Sequence, residues 1–428
     1  MNNFSEVYRL NSAGSRAVLV LFGFALTVSL LMPAAVVSGA LLHVTVSLAL
    51  LLGLAESLRL GTKVSNRELF VFAPLFLFMV VVATSNLKGV FIGVSPSLHD
   101  FSEYFKFVFP VLVFLVLLSL LRNYGTRWLW VIVSVVLVVY VSVFLIYIYD
   151  GGGVIYQVGL GRGDPVFYRY GGLDHNPNAY AGIAGMLSFL ALVLAVSKRG
   201  VGSLSYWALF FLILASFILA QSRTNIIAFV LVGSMIALFF PISVLKKAIL
   251  VFMGLSFILA AANYFDLYWL TYPGRFDVIG DRSFGIRVER SVEQFWGLYE
   301  RIGVLGIGPG KASIDRLDTI SYMMYLIRYG WLGVFLFVVL HLWVSFYFFR
   351  LWWLARKRGR QRSLKSEPLL VVNTWVPVYI LFLNVSNEKW IDIKFMVFWA
   401  LLMAAGQFYA MRERTPKLAK NKRAICSE

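Results

Sequence analysis

The chain has almost no cysteine. Its one thiol, Cys426, stands third from the end of 428 residues. That leaves no disulfide framework and no thiolate cluster for a metal, and the position does not fit a prenylation box. Histidine is nearly as scarce. His43, His99, His175 and His341 lie far apart with no HxxxH-type pair, so nothing local supports a metal site. Nothing resembles a Walker loop, a zincin motif or a nucleophile elbow. Glycines cluster at 151–153, 161–163 and 171–172, but without the strand–GxGxxG–helix setting of a nucleotide fingerprint. No cofactor and no metal is expected.

Charge is the other shortage. Only 14% of residues are charged and 60% are hydrophobic, with a mean hydropathy of +0.79. A soluble domain carries about 25% charge. The composition predicts an all-α integral membrane protein, a single polytopic domain over 1–428. About twelve apolar runs are long enough to span a bilayer: 17–35, 38–56, 68–87, 105–121, 128–148, 178–197, 204–221, 224–242, 246–264, 320–349, 369–386 and 391–411. The first is too long for a signal peptide and a second follows at once.

Basic residues orient these spans. With both termini in the cytoplasm, the inner segments hold 24 of the 39 basic residues but 6 of the 21 acidic ones, an excess equal to the whole net charge of +18. The basic runs, such as "RLWWLARKRGRQRSLK", are therefore a topology signal and a match for anionic inner-leaflet lipid. Nucleic acid is not an expected partner.

Two large outer loops follow, at 149–177 and 265–319. Long loops carry function more often than scaffolding. The first ends in "YRYGGLDHNPNAYAG", which crowds Arg169, Asp174, His175, Asn176 and Asn178 at the mouth of a helix. Asn176 followed by Pro177 also reads as a helix N-cap, so a capping role and a binding role both stand for Asn176. The N-terminal dipole there favours anions. A second polar turn, Ser222–Arg223–Thr224, joins two spans with almost no loop. Arg223 either snorkels to headgroups or faces a polar cavity.

The second loop contains an amphipathic helix. At 100° per residue, Val288, Val292, Phe295, Tyr299 and Ile302 share an arc of about 80°. Arg287, Arg290, Gln294 and Arg301 fill a neighbouring arc, and Glu289, Glu293 and Glu300 a third. The apolar arc is expected on the bundle, leaving the basic arc to lipid phosphate or substrate. Arginine grips phosphate bidentately. Arg169, Arg223, Arg282, Arg287 and Arg290 together point to a phosphorylated or pyrophosphorylated ligand taken from the outer leaflet.

The order of these motifs resembles the bacterial O-antigen polymerase/ligase superfamily (Wzy-type). A GG-x-x-x-N-P-N stretch (Gly171, Gly172, Asn176, Pro177, Asn178) precedes an S-R-T turn (Ser222, Arg223, Thr224). Then come R-S…R (Arg282, Ser283, Arg287), G-x-G-x-G (Gly306, Gly308, Gly310) and "YLIRYGWLG" from Tyr325 to Gly333. The resemblance spans about 168–345.

The resemblance implies a glycosyltransferase that moves a glycan from undecaprenyl pyrophosphate. Polymerases place it on the next lipid-linked repeat, ligases on lipid A–core, and relatives on protein. It implies a bacterial inner-membrane location and a periplasmic site. Its partners are a lipid-linked donor and acceptor, membrane lipids and a chain-length regulator. Ligases usually carry a histidine just before the Y-L pair. Here the stretch is "DTISYMMYL", with Ser321 and Tyr322, which favours a polymerase.

The general base is open among His175, Asp174, Asp281 and Asp318, with Asp174, His175 and Asn178 on the acceptor side and Tyr322 among the binding residues. An unperturbed histidine titrates near pH 6.5, which suits His175 to take a proton from an acceptor hydroxyl. Two alternatives stay open: a ligase or protein oligosaccharyltransferase of the same superfamily, and a transporter of a phosphorylated lipid or solute. A transporter should bury charge in its spans and interrupt its helices. The spans are expected to be nearly free of charge except at Arg328.

Overall fold

The computed structural model describes residues 13–33, 39–62, 65–93, 98–149, 170–174, 176–198, 200–220, 222–240, 282–308, 321–357, 366–384 and 393–412. The described residues are helical throughout, apart from short turns. In chain order the helices are α1 (Ala13–Leu31), α2 (Gly39–Arg59), α3 (Asn66–Leu69), α4 (Ala73–Phe91), α5 (Leu98–Tyr124), α6 (Arg127–Tyr149), α7 (Pro177–Ser197), α8 (Val201–Leu219) and α9 (Arg223–Phe239). They continue with α10 (Arg282–Ile302), α11 (Ser321–Lys357), α12 (Ser366–Leu383) and α13 (Ile393–Arg412).

Among the described residues, 9 helices are long and apolar enough to cross a membrane, and α9 and α12 carry shorter apolar stretches. Eleven of the expected runs thus coincide with apolar helices. The run at 246–264 and most of the loop at 149–177 lie outside the described residues.

Membrane helices gain nothing by hiding apolar groups from lipid, so small residues and close packing decide which of them touch. α7 and α13 are apolar all round and enclosed on nearly every side, the pattern of a central helix. Ala181, Gly182, Ala184, Gly185 and Ser188 keep α7 thin. A Cβ on Gly185 would strike the hydroxyl of Tyr379 on α12. Outer helices leave large apolar side chains such as Phe24, Leu51, Val80 and Phe346 exposed, the surface that lipid covers.

Some polar contacts lie at mid-span, such as Asn373 Nδ2 donating to Leu402 O at 2.8 Å and Ser345 Oγ to Thr374 O at 2.6 Å, but the charged ones gather at the two ends of the bundle. At one end Glu56 accepts from Arg59 Nε at 2.8 Å and from the Tyr124 hydroxyl. Arg59 reaches Ser15, Arg122 pairs with Glu68, and Asn123 Nδ2 donates to Thr62 at 2.9 Å. The C-terminal part of α13 joins them, with Tyr409 beside Thr126 at 3.1 Å. The N-termini of α7, α9 and α13 and the C-terminal ends of α4, α8 and α12 meet at the opposite end.

Besides the expected Arg328, the spans bury two further charges, Glu56 and Lys394, and Asp174 is buried in the turn before α7. Each sits near a helix end and not at mid-span, where partners and neighbouring backbone reduce the cost of burial.

Candidate functional site at one end of the bundle

The turn before α7 is built on Gly172. Its φ of 51° lies in the left-handed region, and a Cβ there would overlap the Tyr180 ring. Glycine alone meets both demands. The chain then makes one 3₁₀ turn over Gly172–Asp174. Asn176 Oδ1 accepts from the N–H groups of Asn178 at 2.9 Å and Ala179 at 3.3 Å, with Pro177 at the first helical position. The Asn176 side chain therefore satisfies the free N–H groups of the helix start. Of its two expected roles, the capping one has the geometry.

Asp174 is buried, and Lys394 Nζ donates to its Oδ1 at 2.6 Å. The Tyr140 hydroxyl donates to Oδ2 at 3.4 Å. Tyr140 stacks on Tyr180 with ring centroids 6.1 Å apart, and the Tyr180 hydroxyl donates to Ser216 at 2.6 Å. The carboxylate is thus paired with a cation from a helix 220 residues away.

Lys394 was missed in the sequence because it sits in the apolar run "IDIKFMVFWALLMAAG". The signal existed: an ionisable residue inside a span marks a site or a partner, the same rule that singled out Arg328.

The Ser222 turn meets the Asn176 turn directly. Tyr170 N–H donates to Leu219 O at 3.0 Å. Asn225 Nδ2 donates to Ser222 Oγ at 2.6 Å and to Asn178 O at 3.4 Å. Asn225 Oδ1 is buried with no hydrogen-bond partner among the described residues. A buried acceptor without a donor costs about 1–3 kcal/mol, so this oxygen suits a donor from a ligand. Arg223 opens α9 beside it. Its side chain lies outside the described residues.

The third part is a break in α11. Gly330 has φ 69°, and the helix resumes at Trp331. The loop 303–308 fills the gap. Ile307 N–H donates to Ile327 O at 2.9 Å, Gly308 N–H to Arg328 O at 3.1 Å, and Leu332 N–H to Val304 O at 3.1 Å. Gly306 and Gly308 have φ of 71° and 78°. A Cβ on either would overlap backbone of α11 or α4. The G-x-G spacing is therefore a backbone-on-backbone fit.

Lys88 at the end of α4 latches the loop, donating to Gly306 O at 2.6 Å and Ile302 O at 3.2 Å, and Ser85 Oγ donates to Arg328 O. The Arg328 side chain is itself buried. The Tyr322 hydroxyl donates to Leu381 O at 2.7 Å, fastening the start of α11 to the end of α12.

α10 forms as expected and packs on α11. Arg290 is exposed on it. Arg282 and Arg287 belong to the same helix, with side chains outside the described residues. Arg169, His175, Asp281 and Asp318 also lie outside them. The structure brings Asp174, Asn176, Asn178, Ser222 and Asn225 together and adds Lys394, Tyr140 and Tyr180. Among the described residues no three His, Cys, Asp or Glu side chains converge as metal ligands. No known family model matches the chain, and no curated protein is significantly similar to it.

Proposed function

We propose that this membrane protein is a glycosyltransferase that polymerises lipid-linked oligosaccharide repeats on undecaprenyl pyrophosphate at the outer face of a bacterial inner membrane. One observation carries the reading. The described parts of the motif segments, 170–174, 176–178, 222–225, 306–308 and 325–333, all gather at one end of the helix bundle.

The chemistry needs little more. A pyrophosphate is already a good leaving group, and arginines can neutralise its developing charge as a metal does elsewhere. Arg223, Arg282 and Arg287 are assigned to the donor pyrophosphate, with Arg169 and Arg290 on its approach. His175 is assigned as the base for the acceptor hydroxyl, since Asp174 is committed to Lys394. Asp281 remains the alternative base. Asn178 sits beside the acceptor, and Asn176 and Tyr322 hold the helices that frame it.

The transporter reading draws on the interrupted α11 and the buried charges. Against it, Ile327 O and Arg328 O at the break accept from the chain's own loop 303–308, and the buried charges sit near helix ends and not at mid-span. The part of α11 beyond the break, 331–357, is about 40 Å long and spans by itself.

The lipid-linked products of a cell lacking the protein test the three readings. Single repeats exposed on the outer face support a polymerase. Full-length chains left on the carrier point to a ligase, and repeats held on the inner face to a transporter.

A further inference from the structure

The apolar arc of α10 divides in two. Ser291 and Ile302 are buried, and Phe295 and Leu298 are half-buried against the bundle, where Ile302 clusters with Ile307, Leu326 and Ile327. Val292, Trp296 and Tyr299 stay exposed at 41%, 65% and 52%. The two sets follow separate i, i+4, i+7 rows, turned about 90° from each other on the helix. Tyr299 and Val292 were expected on the bundle with Phe295 and Ile302, and the structure corrects that.

A row of exposed tryptophan, tyrosine and valine is costly in water. It is continuous with lipid-facing surface. Trp331, the first residue after the break in α11, is 57% exposed, and Val304 is 63% exposed. Phe295 bridges to Trp331 with ring centroids 6.4 Å apart. The remainder of α11 is about as long as a bilayer with its headgroups is thick, which puts Trp331 at the level of one interface. Trp and Tyr prefer that level.

The charges agree. By helical register Glu289, Glu293 and Glu300 lie opposite the bundle-facing row. Arg290, which is exposed, lies opposite the aromatic row.

We propose that α10 is an interfacial helix whose Val292–Trp296–Tyr299 stripe is immersed in the lipid headgroup boundary, and that this anchoring turns the exposed Arg290 away from lipid. The inference holds whatever reaction the protein performs.

The test uses full-length protein with Cys426→Ser, reconstituted in phosphatidylglycerol/phosphatidylethanolamine vesicles. Nitroxide labels are placed singly by Val292→Cys, Trp296→Cys, Tyr299→Cys, Glu293→Cys and Glu300→Cys. Oxygen partitions into lipid, and a nickel chelate stays in water. The oxygen-to-nickel accessibility ratio should be several-fold higher at 292, 296 and 299 than at 293 and 300. Equal ratios would overturn the proposal by placing the stripe in water. Labels at 296 and 299 shielded from both reagents would overturn it by placing the stripe against protein. Three positions on one stripe keep the test decisive if one variant fails to fold.

Discussion

The ammonium of Lys394 at the start of α13 lies 2.6 Å from a carboxylate oxygen of Asp174 at the mouth of α7, and both side chains are at most 5% exposed. A buried pair of this kind adds little net stability, but removing one partner strands the other charge at a cost of about 3–5 kcal/mol. Lys394→Met or Asp174→Asn alone should therefore lower the unfolding temperature in detergent. The double variant should recover most of the loss. Additive losses in the double variant would mean that the two groups do not depend on each other.

The break in α11 admits only glycine. Gly330→Ala places a Cβ on Val304 O and forces alanine to a positive φ. The backbone cost alone is about 1–3 kcal/mol, so expression or thermal stability should fall sharply. Gly333→Ala is a poor control because its Cβ would meet Tyr329. Gly202→Ala, with open space around it, should be silent in the same measurement.

On the proposed function, Arg223, Arg282 and Arg287 hold the donor pyrophosphate. A charge-assisted contact is worth about 1.5–3 kcal/mol, so each alanine variant should lose at least about tenfold in chain assembly. Lysine should restore part of it, lacking the bidentate fork. Long chains from all three normally expressed alanine variants would move the site elsewhere.

His175→Ala should slow transfer by roughly a hundredfold or more with donor binding and thermal stability intact. A residue that only pins the turn would instead lose stability. Wild-type rates in both His175→Ala and His175→Gln would hand the role to Asp281.

Much of the architecture was legible because it is local. The N-cap at Asn176 needs only an asparagine, a following proline and an apolar run, and all three are adjacent in sequence. The charge segregation of α10 is legible for the same reason, since register converts spacing directly into faces. The site was half legible. Spacing marked the turns at 170–178 and 222–225 but not their contact, which passes through one amide on Asn225. The G-x-G stretch was visible as a motif, but not its seat in α11, because a glycine's neighbours are not written beside it.

By itself the sequence determined the solvent of this protein. With 60% hydrophobic residues and 14% charge, the backbone must satisfy its own hydrogen bonds, and helices are the form that does so within each segment. It also determined where most helices begin and end, through runs of apolar residues and the caps between them. Only the tertiary structure decided what Asp174 pairs with, which half of the α10 arc faces protein, and what fills the break at Gly330. Each depends on groups separated by long stretches of chain: Asp174 and Lys394 by 220 positions, Ser85 and Arg328 by 243. Hydropathy and helical period describe a residue's own neighbourhood. Partnership across a bundle is set by which helices pack together, and that is a property of the whole fold.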